Sequence, residues 1–429
     1  MRLLGLAIRN FWRHRQRYQV LLVLVALGAA LSLVLVAATA SFTQSLRFKA
    51  AQYFGGDVSV LGYHGTLHRI DDDAVVAEVL EKSGVPVEGL FRRTVSYNSE
   101  TILFFKDHSL KQRRMIGVDP VREKASLERF DWDEGGAEGL VEGTGVVLSR
   151  GTADKLRAGV GDEVTLLIDT VTGAKNTVTL RVSGIFHDTS FFGYSSYLSI
   201  ETLNRALGLP PGTSTEMGIS LAGNVPASEA AQAIHQALSQ RVSVAPLLQS
   251  RSDLDALQDP GTADRQTRYA VMTLDARLAQ IQQILNALLV VSGVLNALFL
   301  VIVVVGVGNT FRAVLLERTR EIGVWRALGM TRQRLVLVIL AEVAVLGVAG
   351  GAVGLLTGLV AWTGLTLVGW GNQALAAMFL VRGHLAWTLP WLQEAGLFGV
   401  MVLAGLAGAL GPALRSAHWK PVDALRYHT

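Results

Sequence analysis

The sequence predicts a membrane protein with four transmembrane α-helices and a large α+β extracytoplasmic domain inserted between the first and second spans. Three observations lead there. Half of the 429 residues are hydrophobic and only 17% are charged, with a mean hydropathy of +0.37, which is not the balance of an ordinary soluble chain. Four stretches, 20–40, 284–309, 335–368 and 395–414, reach or approach the roughly 20 apolar residues that cross a bilayer. Between the first two lies a polar segment, 41–283, which holds most of the acidic residues and is long enough for a core of its own.

Charge placement sets the orientation. Residues 1–19, 310–334 and 415–429 hold five, six and three Lys or Arg against three acids, Glu317, Glu321 and Asp423, a balance of +11. The whole chain is +4, so the remainder sums to −7. The opposite short connection, 369–394, has one basic residue of this kind, Arg382. By the positive-inside tendency both termini and the 310–334 connection are cytoplasmic, and 41–283 is outside. The basic residues crowd at span ends without interleaved aromatics, so the sequence pI near 9.4 does not indicate nucleic-acid binding. With no cysteine, disulfide and thiolate chemistry are excluded. The first apolar run exceeds the 7–15 residues of a signal sequence and reads as a retained span.

The elements follow in order. Residues 1–19 form an interfacial amphipathic helix, with Leu3, Leu4, Ala7, Ile8 and Phe11 on one stripe and Arg2, Arg9 and Arg13 off it. After the first span, Gly55-Gly56-Asp57 turns into the alternating strand Val58-Ser59-Val60. Residues 71–82 read as a helix started by three acids. Strands are expected at 94–97, 101–105, 115–118, 146–149, 164–168 and 178–184. Ser149 serves as an N-cap for 151–156, and a hairpin turns at Gly173. Residues 200–207 and 226–238 read as helices. Short strands and helices without a βαβ rhythm make this an α+β domain.

From about Thr262 the pattern turns helical and runs to the second span as a stalk. The 310–334 connection carries Ile322, Trp325 and Leu328 at three-residue spacing, one apolar stripe of an amphipathic helix. Glu317 and Glu321 lie one turn apart beside Arg318 and Arg320, a repulsive spacing unless a basic partner answers it. A helix this charged between two spans reads as a docking site for something soluble. In the third span Gly350, Gly354 and Gly358 recur every four residues with Gly347 and Gly351 alongside, the pattern that lets helices approach closely. Glu342, the one acid within the spans, is expected to reach an arginine at the cytoplasmic interface. Trp362, Trp370, Trp387 and Trp391 read as anchors at the outer face.

Catalytic chemistry is not visible. The chain lacks a Gly-x-x-x-x-Gly-Lys-Ser/Thr loop. Gly218-Ile219-Ser220-Leu221-Ala222 misses the serine-hydrolase elbow by one glycine and reads as a strand. His64 and His68, with Asp71, Asp72 and Asp73, fit no closed zinc spacing. Phe191, Phe192, Tyr194 and Tyr197, beside His187 and Asp188, form a candidate substrate or partner patch.

With its Glu-Arg-Thr-Arg-Glu-Ile-Gly core at 317–323, Arg-Ala-Leu-Gly at 326–329, Glu342 and the glycine-rich span, the segment 309–358 resembles the FtsX-type permease domain of MacB and LolC/LolE transporters. Residues 146–166 (VVLSRGTADKLRAGVGDEVTL) and 116–120 (IGVDP) are similar to that family's extracytoplasmic domain. Residues 421–426 (PVDALR) resemble its C-terminal signature.

The resemblance implies a dimer, homomeric or with a paralogue, working with two ATPase subunits. Glu317, Arg320, Glu321, Ile322, Gly323, Arg326, Leu328 and Gly329 would then form the coupling helix gripped by the ATPase. It further implies a multi-pass protein of the cell inner membrane. No cofactor is held by this chain, since ATP and Mg belong to a separate ATPase. Membrane lipid and a periplasmic carrier or adaptor complete the implied partners. The implied function is export or extraction of a hydrophobic or lipidated substrate, a lipoprotein, lipid or peptide. The alternative is a transmembrane signal transmitter that regulates an external cell-wall hydrolase. One departure bears on the branch: 169–177 is short and lacks Pro and aromatics, unlike the carrier-binding hook of LolC and LolE.

Overall fold

The computed structural model describes residues 15–64, 67–70, 73–96, 101–112, 114–187, 194–223, 225–258, 268–371 and 379–419. The expected interfacial helix at 1–19 and the tail at 415–429 therefore lie largely outside the described residues. In chain order the elements are α1 (Arg15–Phe54), β1 (Val58–His64), β2 (Leu67–His68), α2 (Asp73–Ser83), β3 (Val87–Ser96), β4 (Ile102–Phe105), β5 (His108–Lys111), β6 (Arg114–Val118), α3 (Lys124–Glu128), β7 (Trp132–Gly135), α4 (Glu138–Val141), β8 (Gly145–Ser149), α5 (Arg150–Leu156), β9 (Glu163–Asp169), β10 (Lys175–Phe186), β11 (Ser195–Ser199) and α6 (Ile200–Leu207). They continue with β12 (Glu216–Leu221), α7 (Ala227–Ser239), α8 (Arg251–Gln258), β13 (Tyr269–Thr273), α9 (Leu274–Arg277), α10 (Ala279–Glu317), α11 (Thr319–Ala327), α12 (Arg332–Leu367) and α13 (Trp391–Ala417). Contacts divide the chain into two units, Met1–Thr43 with Asn286–Gly369 and His384–Thr429, and Gln44–Leu285 with Trp370–Gly383.

The first unit is helical. Among the described residues, α1, α10, α12 and α13 are the helices long and apolar enough to cross a bilayer. Its glycine stripe faces two neighbours. A Cβ at Gly354 would sit 2.3 Å from the Ala26 carbonyl oxygen, and one at Gly358 3.0 Å from Ala30 Cα. Gly350 likewise abuts Val25, so these three glycines admit α1. Gly351 and Gly347 face Phe398 and Val402 on α13. The close approach that small residues allow is here spent within the chain. Gly408 does the same between α13 and α10, where a Cβ would lie 2.3 Å from the Val304 carbonyl oxygen. Ser32 Oγ donates to Asn296 Oδ1 at 2.5 Å and Asn296 Nδ2 donates to the Ser292 carbonyl, a polar tie between α1 and α10. Trp362 departs from the expected anchor role. It is fully buried and donates Nε1–H to the Thr388 carbonyl, while Trp370, Trp387 and Trp391 are exposed. The ring is enclosed by Leu33 and Ala37, which α1 supplies.

The second unit is a mixed sheet with strand order β13-β1-β12-β3-β6-β11-β8-β10-β9-β4-β5 among the described residues. Its pairs are antiparallel except β6/β11 and β8/β10. One core gathers around β8, β9, β10 and β11 with α5 and α6, and another around β1, β12 and β13 with α2 and α7. Ser149 caps α5 by accepting from the Thr152 N–H at 3.3 Å. The β9–β10 hairpin turns tightly at Gly173, whose φ of +84° suits glycine.

The stalk is where the structure departs most from expectation. Tyr269–Thr273 is not helical but the strand β13, paired antiparallel with β1 from Val58↔Thr273 to Gly62↔Tyr269. Tyr269, Ala270, Val271 and Met272 are all buried. A strand covered on both faces shows no polar alternation, and its run of apolar residues merges into the helical pattern that follows. The long helix starts only at Ala279, after the single turn α9.

Candidate coupling site

The charged helix α11 continues from α10 without losing its backbone ladder: Arg318 N–H reaches the Val314 carbonyl at 3.1 Å and Ile322 N–H the Arg318 carbonyl at 3.0 Å. It ends at Gly329, whose φ of +92° is the left-handed conformation that glycine adopts freely. Met330 N–H bonds back to the Trp325 carbonyl, and Arg326 Nη1 donates to the Met330 carbonyl at 3.2 Å, closing the turn. Thr331 then caps α12, accepting from the Arg334 N–H.

Beneath this turn lies a buried polar cluster. Arg318 Nη1 donates to Glu342 Oε2 at 2.8 Å and to the Tyr18 hydroxyl at 3.2 Å, and its Nε donates to Glu321 Oε2 at 3.0 Å. Tyr18 in turn donates to Glu342 Oε2 at 3.2 Å. The guanidinium lies 5.5 Å from the centre of the Trp325 ring. Arg318, Glu342 and Tyr18 are all buried. Three elements therefore meet in one charge-assisted network: α1 through Tyr18, the α10–α11 junction through Arg318, and α12 through Glu342.

The outward face is a separate ridge. Glu317, Arg320, Glu321, Val324 and Leu328 recur at helical spacing and are exposed, Leu328 by 81%. Gly329 is exposed beside them. Ile322 and Gly323 are buried, and Trp325 and Arg326 are half-buried. The expected apolar stripe is thus divided: Ile322 faces the core, Trp325 lies at its margin and Leu328 points outward. Three residues apart is 300° of helix, so each step slips 60° and the third member leaves the face. Sequence reading missed Val324 on the ridge, and Arg318 and Tyr18 beneath it. An intramembrane carboxylate pointed to an arginine partner without saying which.

The described members of the aromatic patch, Tyr194 and Tyr197, do not lie together on the surface. Tyr197 is buried in β11, 5.0 Å from the Phe130 ring and 5.6 Å from Phe186. Tyr194 is half-buried under Lys155, and Phe191 and Phe192 lie outside the described residues. Tyr197 is buried because its ring packs on the sheet face with Phe130 and Phe186 in the core. No cluster of three or more metal-ligating side chains occurs among the described residues.

Comparison with known proteins now adds to this geometry. Residues 22–238 match the MacB-like periplasmic core domain and residues 293–421 the FtsX-like permease C-terminal domain. An uncharacterized ABC transporter permease, YknZ of Bacillus subtilis, is 29% identical over 39% of this chain and 38% of its own length. The macrolide export ATP-binding/permease protein MacB of Bdellovibrio bacteriovorus is 30% identical over 35% of this chain and 22% of its own. The pyoverdine export ATP-binding/permease protein PvdT of Pseudomonas syringae is 32% identical over 33% and 19%. The matches thus span well under half of each relative. The periplasmic region of MacB from Actinobacillus actinomycetemcomitans aligns over 54% of this chain and 94% of that one, at 14% identity and a TM-score of 0.33.

Proposed function

From the premise that the chain belongs to the FtsX/MacB-type family of ABC transporter permeases, we propose that α11 is the point at which a separate ABC ATPase engages it. The observation that carries this reading is the division of α11 into two faces. One is tied down by Arg318 to Glu342 and Tyr18. The other presents Glu317, Arg320, Glu321, Val324 and Leu328 outward. A helix held on one side and charged on the other suits a soluble partner with a basic and apolar groove. Movement of α11 pulls on α1 and α12 through the same three side chains. With the arginine-rich connection and termini cytoplasmic, ATP binding inside the cell drives the sheet domain outside it. ATP and Mg act in the partner. The working unit contains two copies of the permease, or this chain with a paralogue, in the inner membrane.

The cargo is a hydrophobic or amphiphilic molecule. Relatives are named for macrolide and pyoverdine export. The β9–β10 hairpin is too tight to offer an extended hook to a soluble carrier, which favours small amphiphiles over hand-off of lipoproteins. The test is reconstitution of the full chain with its candidate ATPase in nanodiscs. Glu317→Ala/Glu321→Ala should abolish both association and stimulation of ATP hydrolysis; retention of both would remove α11 from the coupling role.

A further inference from the structure

Where the end of α1 and the start of α10 meet the sheet, five ionisable side chains are buried together. Arg93 on β3 donates Nη2 to Glu123 at 2.6 Å and Nε to the same carboxylate at 3.1 Å. Its Nη1 donates to the carbonyls of Gln52 and Tyr53, the last turn of α1. Arg277, in the turn that precedes α10, donates Nη2 to Glu216 Oε2 on β12 at 3.0 Å. Arg114 on β6 approaches the other oxygen of Glu216 at 3.5 Å. The aromatic end of α1 lies among them: Arg114 is 4.1 Å from the Tyr53 ring and 5.0 Å from Phe54, and Arg277 is 4.8 Å from Phe54. Outside this core Arg47 and Asp275 join the same two segments at 2.5 Å.

Three guanidiniums face two carboxylates. Arg93 is matched by Glu123 and by the partial negative charge at the C-terminal end of α1. Glu216 is shared: Arg277 donates to one of its oxygens at 3.0 Å, and Arg114 approaches the other at 3.5 Å. The Arg277 guanidinium joins three parts: Phe54 at the end of α1, its own backbone at the start of α9 and α10, and the sheet through Glu216.

We propose that Arg277 is a positioning residue that locks the end of α1 and the start of α10 to the sheet as one body, so that the domain follows the helices rather than flexing at their ends. This rests on the coupling reading above. Once locked, a displacement of either helix end reaches β12 through Glu216, and both ends move together through Phe54.

The absence of cysteine gives a clean background for spin labels. In the full chain, Gln44→Cys on α1 and Thr172→Cys in the β9–β10 turn are exposed label sites. The wild-type background should give one narrow distance population. Arg277→Met leaves Glu216 facing Arg114 alone, and is expected to broaden the distance distribution and to lower substrate-dependent ATPase stimulation by about tenfold, a typical coupling between remote sites. Phe54→Leu, which removes only the stacking surface, should act in the same direction, and Arg277→Lys should restore part of both signals. A narrow distribution with full stimulation in a folded Arg277→Met would overturn the proposal. So would an unfolded Arg277→Met accompanied by a Phe54→Leu that behaves as wild type. The distance measurement needs no ATPase, so a failed coupling reading shows instead as a wild-type chain that does not bind the ATPase.

Discussion

Arg318 Nη1 sits 2.8 Å from Glu342 Oε2, both side chains almost completely buried, so the junction of α10 and α11 is tied to the interior of α12 by an ion pair as well as by apolar contact. Removing water from two charges is costly, and the geometry answers it with further bonds from Tyr18 and Glu321. The pair therefore fixes where α11 starts, and breaking it exposes the cost.

Glu342→Ala should destabilise the helical unit by about 3–5 kcal/mol, the range for leaving a buried charge without its partner. The double replacement Glu342→Met/Arg318→Met should recover most of that loss while uncoupling α11 from ATP hydrolysis. Thermal unfolding in detergent, paired with ATPase stimulation, separates the two effects.

The ridge and the anchor should respond differently. Leu328→Asp and Glu321→Lys change the outward face and are expected to weaken ATPase association by an order of magnitude or more, the ~1.4 kcal/mol or above of a lost contact residue. Of these two, the unfolding midpoint should stay near wild type for Leu328→Asp and fall only for Glu321→Lys, which also removes the bond to the buried Arg318. Ile322→Ala, which opens a cavity beneath α11, should lower the midpoint by the equivalent of about 2–5 kcal/mol. Equal losses of stability in all three variants would contradict the two-faced helix.

Glycine positions in α12 give a steric test. Gly354→Leu must push against the Ala26 carbonyl, whereas a side chain at the exposed Gly364 meets nothing within 4 Å. Expression and thermal stability in detergent should collapse for the first and hold for the second. Tolerance of Gly354→Leu would mean that α1 and α12 do not approach as described.

Acid stability should depend on Glu216. Burial works against its ionised form, but Arg277 and then Arg114 outweigh that and hold its carboxyl below the usual range. A depressed pKa contributes stability above the unfolded value, about 4.3, that is lost as pH falls through the lower folded value. Exposed Glu78, pushed down to about 2 by Arg241 and Lys82, acts in the same direction. The difference between wild type and Glu216→Gln, followed by unfolding in denaturant from pH 6 downward, should shrink below about pH 4. A constant difference across that window would refute the assignment.

Spans and short strands were readable because their signals are local. A run of apolar residues, a Ser149 cap or a Gly173 turn needs only its neighbours. β13 was misread because burial on both faces erased the alternation that marks a strand. The charge networks were hidden for another reason: Tyr18 and Glu342 are 324 positions apart, and Arg277 and Glu216 are 61. Lone arginines in a basic chain look like surface residues until a fold brings carboxylates to them. Leu328 is a third case: three-residue spacing places it on one stripe with Ile322 and Trp325, but the helix turns it outward.

The pairing of β1 with β13 closes the segment between them into a loop with adjoining ends. Val58 and Thr273 are cross-strand partners, so everything between them hangs from two adjacent positions about 5 Å apart. A segment bounded in this way is a cassette. Its two ends enter and leave side by side, so its length can change without moving the points where it joins the flanking chain.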